Sequence, residues 1–277
     1  GQEFRAFSQP VLRDIKRISA AVEELTYVNM GATAVGTGIN ADVEYVKNVV
    51  RILSEVTGFE FKQSPDLVDG TRNLDSFVWL SSALKTCAVN LSKTANDIRL
   101  MASGPKAGLA EILLPQQQPG SSIMPGKVNP VIPEVLNQVC FQIFGNDITI
   151  TKAAEAGQLE LNVFEPVLFF NLFQSIEILK NGIITFIENC LKGITAQEEN
   201  CKYWVDRSVG IITALNPHIG YKNAAEIAKE SIKTGVPVAQ IVLQRGLLSK
   251  EDLDVILNPF EMTKPGIPGK ALLKKNK

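Results

Sequence analysis

Residues 168–191 read LFFNLFQSIEILKNGIITFIENCL, and their apolar side chains recur every three or four positions. The recurring positions are Leu168, Leu172, Ile176, Leu179, Ile183, Ile187 and Leu191. This is the period of an α-helix with one apolar face. Because the run is about twice the mean length of a globular helix, it predicts a long rod whose apolar face has to be buried.

The same period occurs in three further segments. Two of the runs are Phe4, Phe7, Val11, Ile15, Ile18, Val22 and Leu25, and then Phe77, Leu80, Leu84, Cys87, Leu91, Ala95 and Ile98. A fourth helix is expected to begin between Asn129 and Glu134. Pro130 or Pro133 suits its first turn, where a missing N–H costs little.

These patterns predict an all-α fold, since β-branched alternation never lasts for more than a few residues. The long helices are expected to form an elongated central bundle. Burial stabilises apolar surface by about 25 cal/mol per Å², and a single chain is expected to leave some of these stripes uncovered. We therefore expect self-association into an oligomer to complete the bundle.

The helical patterns become shorter after residue 207. Asn216-Pro217 is expected to interrupt a helix, and short patterns follow at residues 224–234 and 238–245. Ser249 precedes Lys-Glu-Asp, which is typical of a capped helix start. The sequence thus predicts a bundle domain over residues 1–207 and a small C-terminal helical domain with a tail over residues 208–277.

Composition excludes several classes of protein. Lys and Arg number 28 and Asp and Glu 29, so the net charge of −1 argues against a chain that coats nucleic acid or an anionic membrane. No run of 18 or more uninterrupted apolar residues predicts a membrane span, and a cytoplasmic protein is expected. The four cysteines are dispersed and are interpreted as free core thiols. With His218 as the only histidine, a HExxH zinc site is impossible within this chain.

The most unusual stretch is PGSSIMPGKVNP, residues 119–130. Its hydroxyls, backbone N–H groups and single ammonium can converge on a carboxylate ligand. The following helix adds the positive end of its dipole. On composition alone, a connecting loop without chemistry is the alternative.

The residues of this loop are recognisable. GSSIMPGKVNP, residues 120–130, resembles the signature of the fumarase/aspartase superfamily, whose members add or remove a group across a carbon–carbon double bond to yield fumarate. GATAVGTGIN at residues 31–40, NDIRLMASGPKAGLAEILLP at 96–115 and NPHIGYKNAAEIAK at 216–229 are also similar to segments of that superfamily. The resemblance covers essentially the whole chain and implies a catalytic loop.

The residues around the signature favour one branch of the superfamily. VIPEVLNQVCFQIFGND after the loop and LNPFEMTKPGIPGK near the end are similar to aspartases. The resemblance implies a lyase that reversibly eliminates ammonia from L-aspartate to give fumarate, with no organic cofactor and no metal site. Class II fumarase remains the alternative.

The resemblance also implies roles for residues of the loop. Ser121 matches the catalytic base that takes the C3 proton as an alkoxide. Lys127 and Asn129 match substrate-carboxylate ligands, and Ser122 is a candidate donor to the developing enediolate. Glu134 is expected to support the site through polar contacts, with an ordinary helix-surface acid as the alternative.

Polar residues outside the loop are expected to have mainly structural roles. Thr37 and Asn40 lie in the glycine-rich turn and are expected to shape it, with a supporting role at the site as the other interpretation. Asn96, Asp97 and Arg99 are expected to cap the helix end or to pair with one another.

The assembly of such a site involves more than one subunit. The resemblance implies that each active site combines residues of three subunits of a homotetramer, and that two further substrate-contacting segments precede the part that corresponds to Gly1. A protein of only these 277 residues is therefore expected to be inactive, whereas the full-length parent is expected to be an active lyase. A non-catalytic structural relative and a plain helical oligomerisation module are the other classes left open.

Overall fold

The computed structural model describes residues 1–118, 124 and 128–274. The long helices are α1 (Gln2–Glu24), α4 (Asp75–Met101), α5 (Val131–Glu155) and α6 (Glu165–Asn189). The shorter ones are α2 (Val43–Thr57), α3 (Leu67–Arg72), α7 (Glu198–Arg207), α8 (Ile212–Ile219), α9 (Tyr221–Thr234), α10 (Val238–Gln244), α11 (Lys250–Ile256) and α12 (Pro259–Met262). The described part of the chain also holds 3-10 turns at Leu191–Gly193, Val209–Ile211 and Lys270–Lys274.

Strands contribute little to this fold. Four two-residue strands occur among the described residues: β1 (Tyr27–Val28), β2 (Lys62–Gln63), β3 (Ile112–Leu113) and β4 (Thr195–Ala196). β1 pairs in parallel with β2, and β3 lies beside β4. The predicted all-α class is confirmed, and all four long helices occur where the apolar period places them.

The first structural unit comprises residues 1–108 and 112–195. Within it, α4 packs against α1 and α5, and α5 packs against α6. Fully buried aliphatic side chains hold these helices together, among them Ile98, Leu136, Ile143, Ile150, Leu168 and Leu172. Each such side chain contributes about 1.5–3 kcal/mol relative to an exposed one, so the periodic apolar face is the main source of bundle stability.

Buried polar side chains fix the alignment of neighbouring helices. Asp14 on α1 is 1% exposed and accepts hydrogen bonds from Asn90 on α4 and from Arg17. Asp147 on α5 accepts from Ser81 at 2.8 Å and from Lys85 at 2.6 Å, both on α4. Because a buried polar group without a partner is costly, each pair favours one axial alignment of two helices over the alternatives.

Helix α6 is long and apolar enough to cross a membrane when only length and composition are considered. In the structure its buried face contributes Leu168, Leu172 and Leu179 to the bundle core. The same helix carries the exposed ion pair Lys180–Glu177 on its surface. A core helix of a bundle meets the same criterion of length and composition as a membrane span.

The second unit comprises residues 109–111 and 196–277. Its core is formed by apolar residues of α8 to α11, including Leu215, Ile227, Val238, Ile241, Val242 and Ile256. Ser249 caps α11 as expected, because its Oγ accepts a hydrogen bond from the Asp252 N–H at 3.1 Å. The expected interruption at Asn216-Pro217 is wrong, since α8 continues through Pro217 to Ile219.

The domain boundary predicted between residues 207 and 208 stays a prediction. Contacts within the chain place α7 with the second unit, where Trp204 donates to the Leu109 carbonyl at 2.7 Å and Asn200 to the Ala110 carbonyl at 2.9 Å. These bonds explain why the short segment 109–111 belongs with residues that follow it by about 90 positions.

Candidate active site

Helix α5 begins immediately after the loop that the sequence singles out. Pro130 is its N-cap residue and Pro133 lies in its first turn, as the sequence predicts. Pro130 itself makes no side-chain capping hydrogen bond. The N–H of Val131 bonds to the carbonyl of Asn129 at 2.9 Å, which ties Asn129 to the start of the helix. The helix dipole therefore places its positive end next to an exposed amide side chain.

Three of the predicted site residues lie outside the described residues, namely Ser121, Ser122 and Lys127. Their predicted roles stay predictions. Asn129 is exposed and precedes α5, and Glu134 lies in its first turn, so these two predicted residues are close along one helix start. An acid in the first turn of a helix is stabilised by the dipole.

Glu134 has a partner that the sequence did not indicate. Its carboxylate Oε1 lies 3.5 Å from Nη2 of Arg99, near the end of α4. Nη1 of the same guanidinium donates to Oδ1 of Asn137 at 3.3 Å. The side chains of Arg99 and Glu134 are 39% and 37% exposed, so both groups remain accessible to water.

The expected local pairing of Asn96, Asp97 and Arg99 is wrong. Asp97 pairs with Lys93 one turn earlier on α4, while Arg99 reaches across to α5. Arg99 follows the buried Ile98 along the helix. The apolar period of the sequence places Arg99 on the surface of its helix but does not show which neighbouring helix its side chain contacts.

Thr37 and Asn40 lie in the segment between β1 and α2, and both are exposed. Asn40 has a positive φ of 64°, a conformation that asparagine tolerates better than most residues. Among the described residues, no hydrogen bond or ion pair joins Thr37 or Asn40 to Asn129 or Glu134. Their supporting role therefore stays a prediction, whereas their position in a turn is observed.

A cavity of about 540 Å³ lies elsewhere in the first unit. Its lining includes four carboxylates, those of Glu24, Asp69, Asp75 and Glu165. None of the predicted site residues that the structure describes, Thr37, Asn40, Asn129 and Glu134, lines it. Clustered negative charge repels a dicarboxylate, so this cavity does not suit the ligand that the signature loop implies.

Three of the four cysteines, Cys87, Cys140 and Cys190, are buried thiols that do not suit the role of a nucleophile. Burial raises the pKa of the thiols of Cys140 and Cys190 to about 11. Burial, reinforced by the nearby Asp14 carboxylate, raises the pKa of Cys87 to about 12. Thiols with such pKa values stay protonated near neutral pH. Among the described residues, no three His, Cys, Asp or Glu side chains are grouped as metal ligands.

Comparison with known proteins places these features in a family. A family model described as Lyase matches residues 1–145, more than half of the chain, and one described as Fumarase C C-terminus matches residues 211–264. The aspartate ammonia-lyase of Bacillus subtilis is 60% identical over 99% of this chain and 58% of its own length. That of Escherichia coli is 49% identical over 98% of this chain and 56% of its own length.

Solved structures agree with these relatives. A fumarate lyase:delta crystallin from Brucella melitensis bound to cobalt matches with a TM-score of 0.92 and 45% identity, over 96% of this chain and 57% of that one. A class II fumarase from Schistosoma mansoni matches with a TM-score of 0.86 and 33% identity, over 96% of this chain and 58% of that one.

This chain thus spans somewhat more than half the length of the relatives it matches. The matches extend over both structural units, from the bundle helices to the small C-terminal unit. The family model over residues 1–145 includes the GSSIMPGKVNP loop, the first turn of α5 and its partner Arg99. On these grounds the chain belongs to the lyase family that this model describes, within the fumarase/aspartase superfamily.

Proposed function

We propose that this protein acts as an aspartate ammonia-lyase, which reversibly eliminates ammonia from L-aspartate to give fumarate. The observation that carries the proposal is the 60% identity to the Bacillus subtilis aspartate ammonia-lyase over 99% of the chain. The intact GSSIMPGKVNP loop before α5 supports it, because this loop contains the serine, the lysine and the asparagine that are assigned to the proposed reaction.

The proposed reaction begins with removal of a proton from carbon. The Ser121 alkoxide takes the C3 proton, and the electron pair of the C–H bond moves into the adjacent β-carboxylate to form an enediolate-like intermediate. A serine hydroxyl is a poor base in water, so donors and positive charge have to stabilise its anion. The loop N–H groups and the Lys127 ammonium are the candidates for this role.

The second step breaks the carbon–nitrogen bond. The electron pair returns to form the C2–C3 double bond, and ammonia leaves from C2. Ser122 and loop N–H groups are candidate donors to the charged carboxylate, and donors that bind more strongly as charge develops accelerate the step. Lys127 and Asn129 hold the substrate carboxylate at the start of α5, where the helix dipole also favours negative charge.

Self-association into a homotetramer is part of this proposal. Helices α1, α4, α5 and α6 leave large apolar side chains exposed on the single chain, among them Val11, Ile15, Trp79, Phe141, Phe170 and Phe173. Apolar patches of this kind are typical of surfaces that another subunit covers. A cytoplasmic location goes with the proposal, since no disulfide joins the described cysteines and disulfides are rare in that compartment.

The test is an assay of the full-length parent protein with L-aspartate and with L-malate, following fumarate at 240 nm. We expect turnover of L-aspartate to dominate. Dominant turnover of L-malate would instead identify a class II fumarase, which the structural similarity to the Schistosoma mansoni enzyme keeps as the second candidate.

The role of Ser121 is tested separately. Ser121→Ala should lower kcat by at least about a hundredfold, because general base catalysis is lost. Ser8→Ala, at an exposed serine of α1, is the matched control and should leave kcat unchanged. An unchanged kcat in the Ser121→Ala variant of the full-length parent contradicts the assignment of the base, and absence of turnover in the unsubstituted full-length parent favours a non-catalytic relative.

A further inference from the structure

The end of α4 and the first turn of α5 are joined by one side chain, that of Arg99. Its two terminal nitrogens reach two residues of α5 that are one helical turn apart: Nη2 lies 3.5 Å from Glu134 Oε1 and Nη1 lies 3.3 Å from Asn137 Oδ1. Residues three positions apart lie on the same face of a helix. The forked guanidinium is suited to such a pair, whereas a lysine ammonium is a single point.

Hydrogen bonds to α4 hold the side chain of Asn137, one of the two partners of Arg99, in place. It is 3% exposed, and its Nδ2 donates to the Ser92 carbonyl at 3.1 Å and to the Ser92 Oγ at 2.9 Å. Ser92 lies on α4, two turns before Arg99. The amide of Asn137 is therefore held between two points of α4, and it presents Oδ1 to the guanidinium in one orientation.

Stability of the fold alone does not account for the placement of Arg99. The Nε atom of Arg99 is buried and has no hydrogen-bond partner among the residues that the structure describes. An unpaired buried donor costs folding free energy. The guanidinium thus makes its polar contacts through its two terminal nitrogens. Both nitrogens contact α5 close to its start, where the candidate loop ends.

We propose that Arg99 is a positioning residue of the active site, an inference that rests on the proposed function. By contacting Glu134 and Asn137, Arg99 fixes the position of the first turn of α5 relative to the end of α4. That turn carries Asn129 with it, because the Val131 N–H bonds to the Asn129 carbonyl. Arg99 thereby sets the place of the amide that binds the substrate carboxylate, without touching the substrate itself.

The experiment measures binding of succinate, a dicarboxylate without a double bond, to the full-length parent protein by calorimetry, together with kcat and KM for L-aspartate. We expect Arg99→Met to raise the Kd of succinate and the KM by about tenfold, because small misplacements of a binding group are costly. Arg99→Lys should fall between the Arg99→Met variant and the unsubstituted protein. Arg51→Met removes an exposed Arg–Glu pair on α2 and should change neither quantity.

A double-mutant cycle separates positioning from general damage. If Arg99 acts through Glu134, adding Glu134→Gln to Arg99→Met should weaken succinate binding by less than the product of the two single effects. Should Arg99→Met fail to fold, Arg99→Lys with Glu134→Gln gives the same cycle with a retained positive charge.

Two outcomes overturn the inference: succinate binding by a folded Arg99→Met or Arg99→Lys variant equal to that of the unsubstituted protein, or fully multiplicative effects in the cycle. The Asn129→Ala variant distinguishes failure of the positioning role of Arg99 from failure of the proposed site. If Asn129→Ala weakens succinate binding and the Arg99 variants do not, the positioning role is wrong and the proposed site stands. If Asn129→Ala also leaves binding unchanged, the proposed site itself is wrong.

Discussion

At the scale of single residues, burial determines how the thiols behave. Cys87, Cys140 and Cys190 are buried in the bundle unit, and their pKa values are raised to about 11 or 12. Cys201 is less buried than these three. Because the thiolate is the reactive form, the three bundle thiols are expected to be inert in the native protein.

The first prediction concerns alkylation by iodoacetamide at pH 8. Among the cysteines of residues 1–277, only Cys201 should be labelled in the native protein, and all four should be labelled in the protein unfolded in urea, because none of them forms a disulfide in the described structure. Mass spectrometry of the modified protein measures this. Rapid native labelling of Cys140, which is 0% exposed, would contradict the structure of the α4–α5 contact.

The same pKa shifts predict how stability depends on pH. In the unfolded chain the thiols lose protons near pH 9, whereas the folded chain keeps them up to about pH 11. The protons are therefore bound more tightly in the folded state, and stability falls as pH rises from 9 towards 11. Urea unfolding of Cys140→Ala and of the unsubstituted protein measures this, and Cys140→Ala should show the shallower decline. Equal slopes would contradict it.

At the scale of elements, the glycine-rich turn shows why a small residue is needed. Gly36 has a φ of 87°, and a Cβ built on it would overlap the backbone of Val68 in α3. The turn thus packs directly against a helix. Gly58, at the end of α2, has a similar φ of 75° but no atom within 4 Å of its Cβ position.

This pair of glycines gives a matched prediction. Gly58→Ala should cost about 1–2 kcal/mol, the strain of a left-handed conformation alone. Gly36→Ala should cost about 1–3 kcal/mol more, because overpacking against Val68 is added. Equilibrium unfolding in urea measures both variants. Equal losses of stability would show that the contact between the turn and α3 is looser than in the structure.

At the scale of the whole molecule, the apolar face that α6 leaves uncovered predicts self-association. Phe170 and Phe173 are 65% and 64% exposed on the single chain. A charge introduced on a face that another subunit covers disfavours association, because the charge has to be desolvated there. The proposed homotetramer requires such a face on the bundle.

The corresponding test substitutes Phe170→Lys and follows mass in solution by size-exclusion chromatography with light scattering. Phe170→Lys should shift the protein to smaller species. Phe260→Lys is the matched control, because Phe260 is 78% exposed and belongs to the small C-terminal unit. An assembly that tolerates Phe170→Lys as well as it tolerates Phe260→Lys would show that this face of α6 is not an interface.

The helices could be predicted from the sequence to different extents. The runs starting at Phe4, Phe77 and Leu168 predicted α1, α4 and α6, since long amphipathic helices repeat their pattern over many turns. Helix α2 was not predicted, although Asp42 caps it through its side chain. Only Val49 and Val50 of α2 are buried, and such a short buried stripe gives a weak periodic signal.

Apolar period and motif are local properties of the chain, and they were enough to predict the helical class, the positions of the long helices and the loop that carries the proposed chemistry. Which polar residues meet could be read only from the packed helices. Asp14 and Asn90 are 76 positions apart, and Arg99 and Glu134 are 35 positions apart. Such pairs depend on how helices align against each other, and that alignment follows from packing of whole faces rather than from any local pattern.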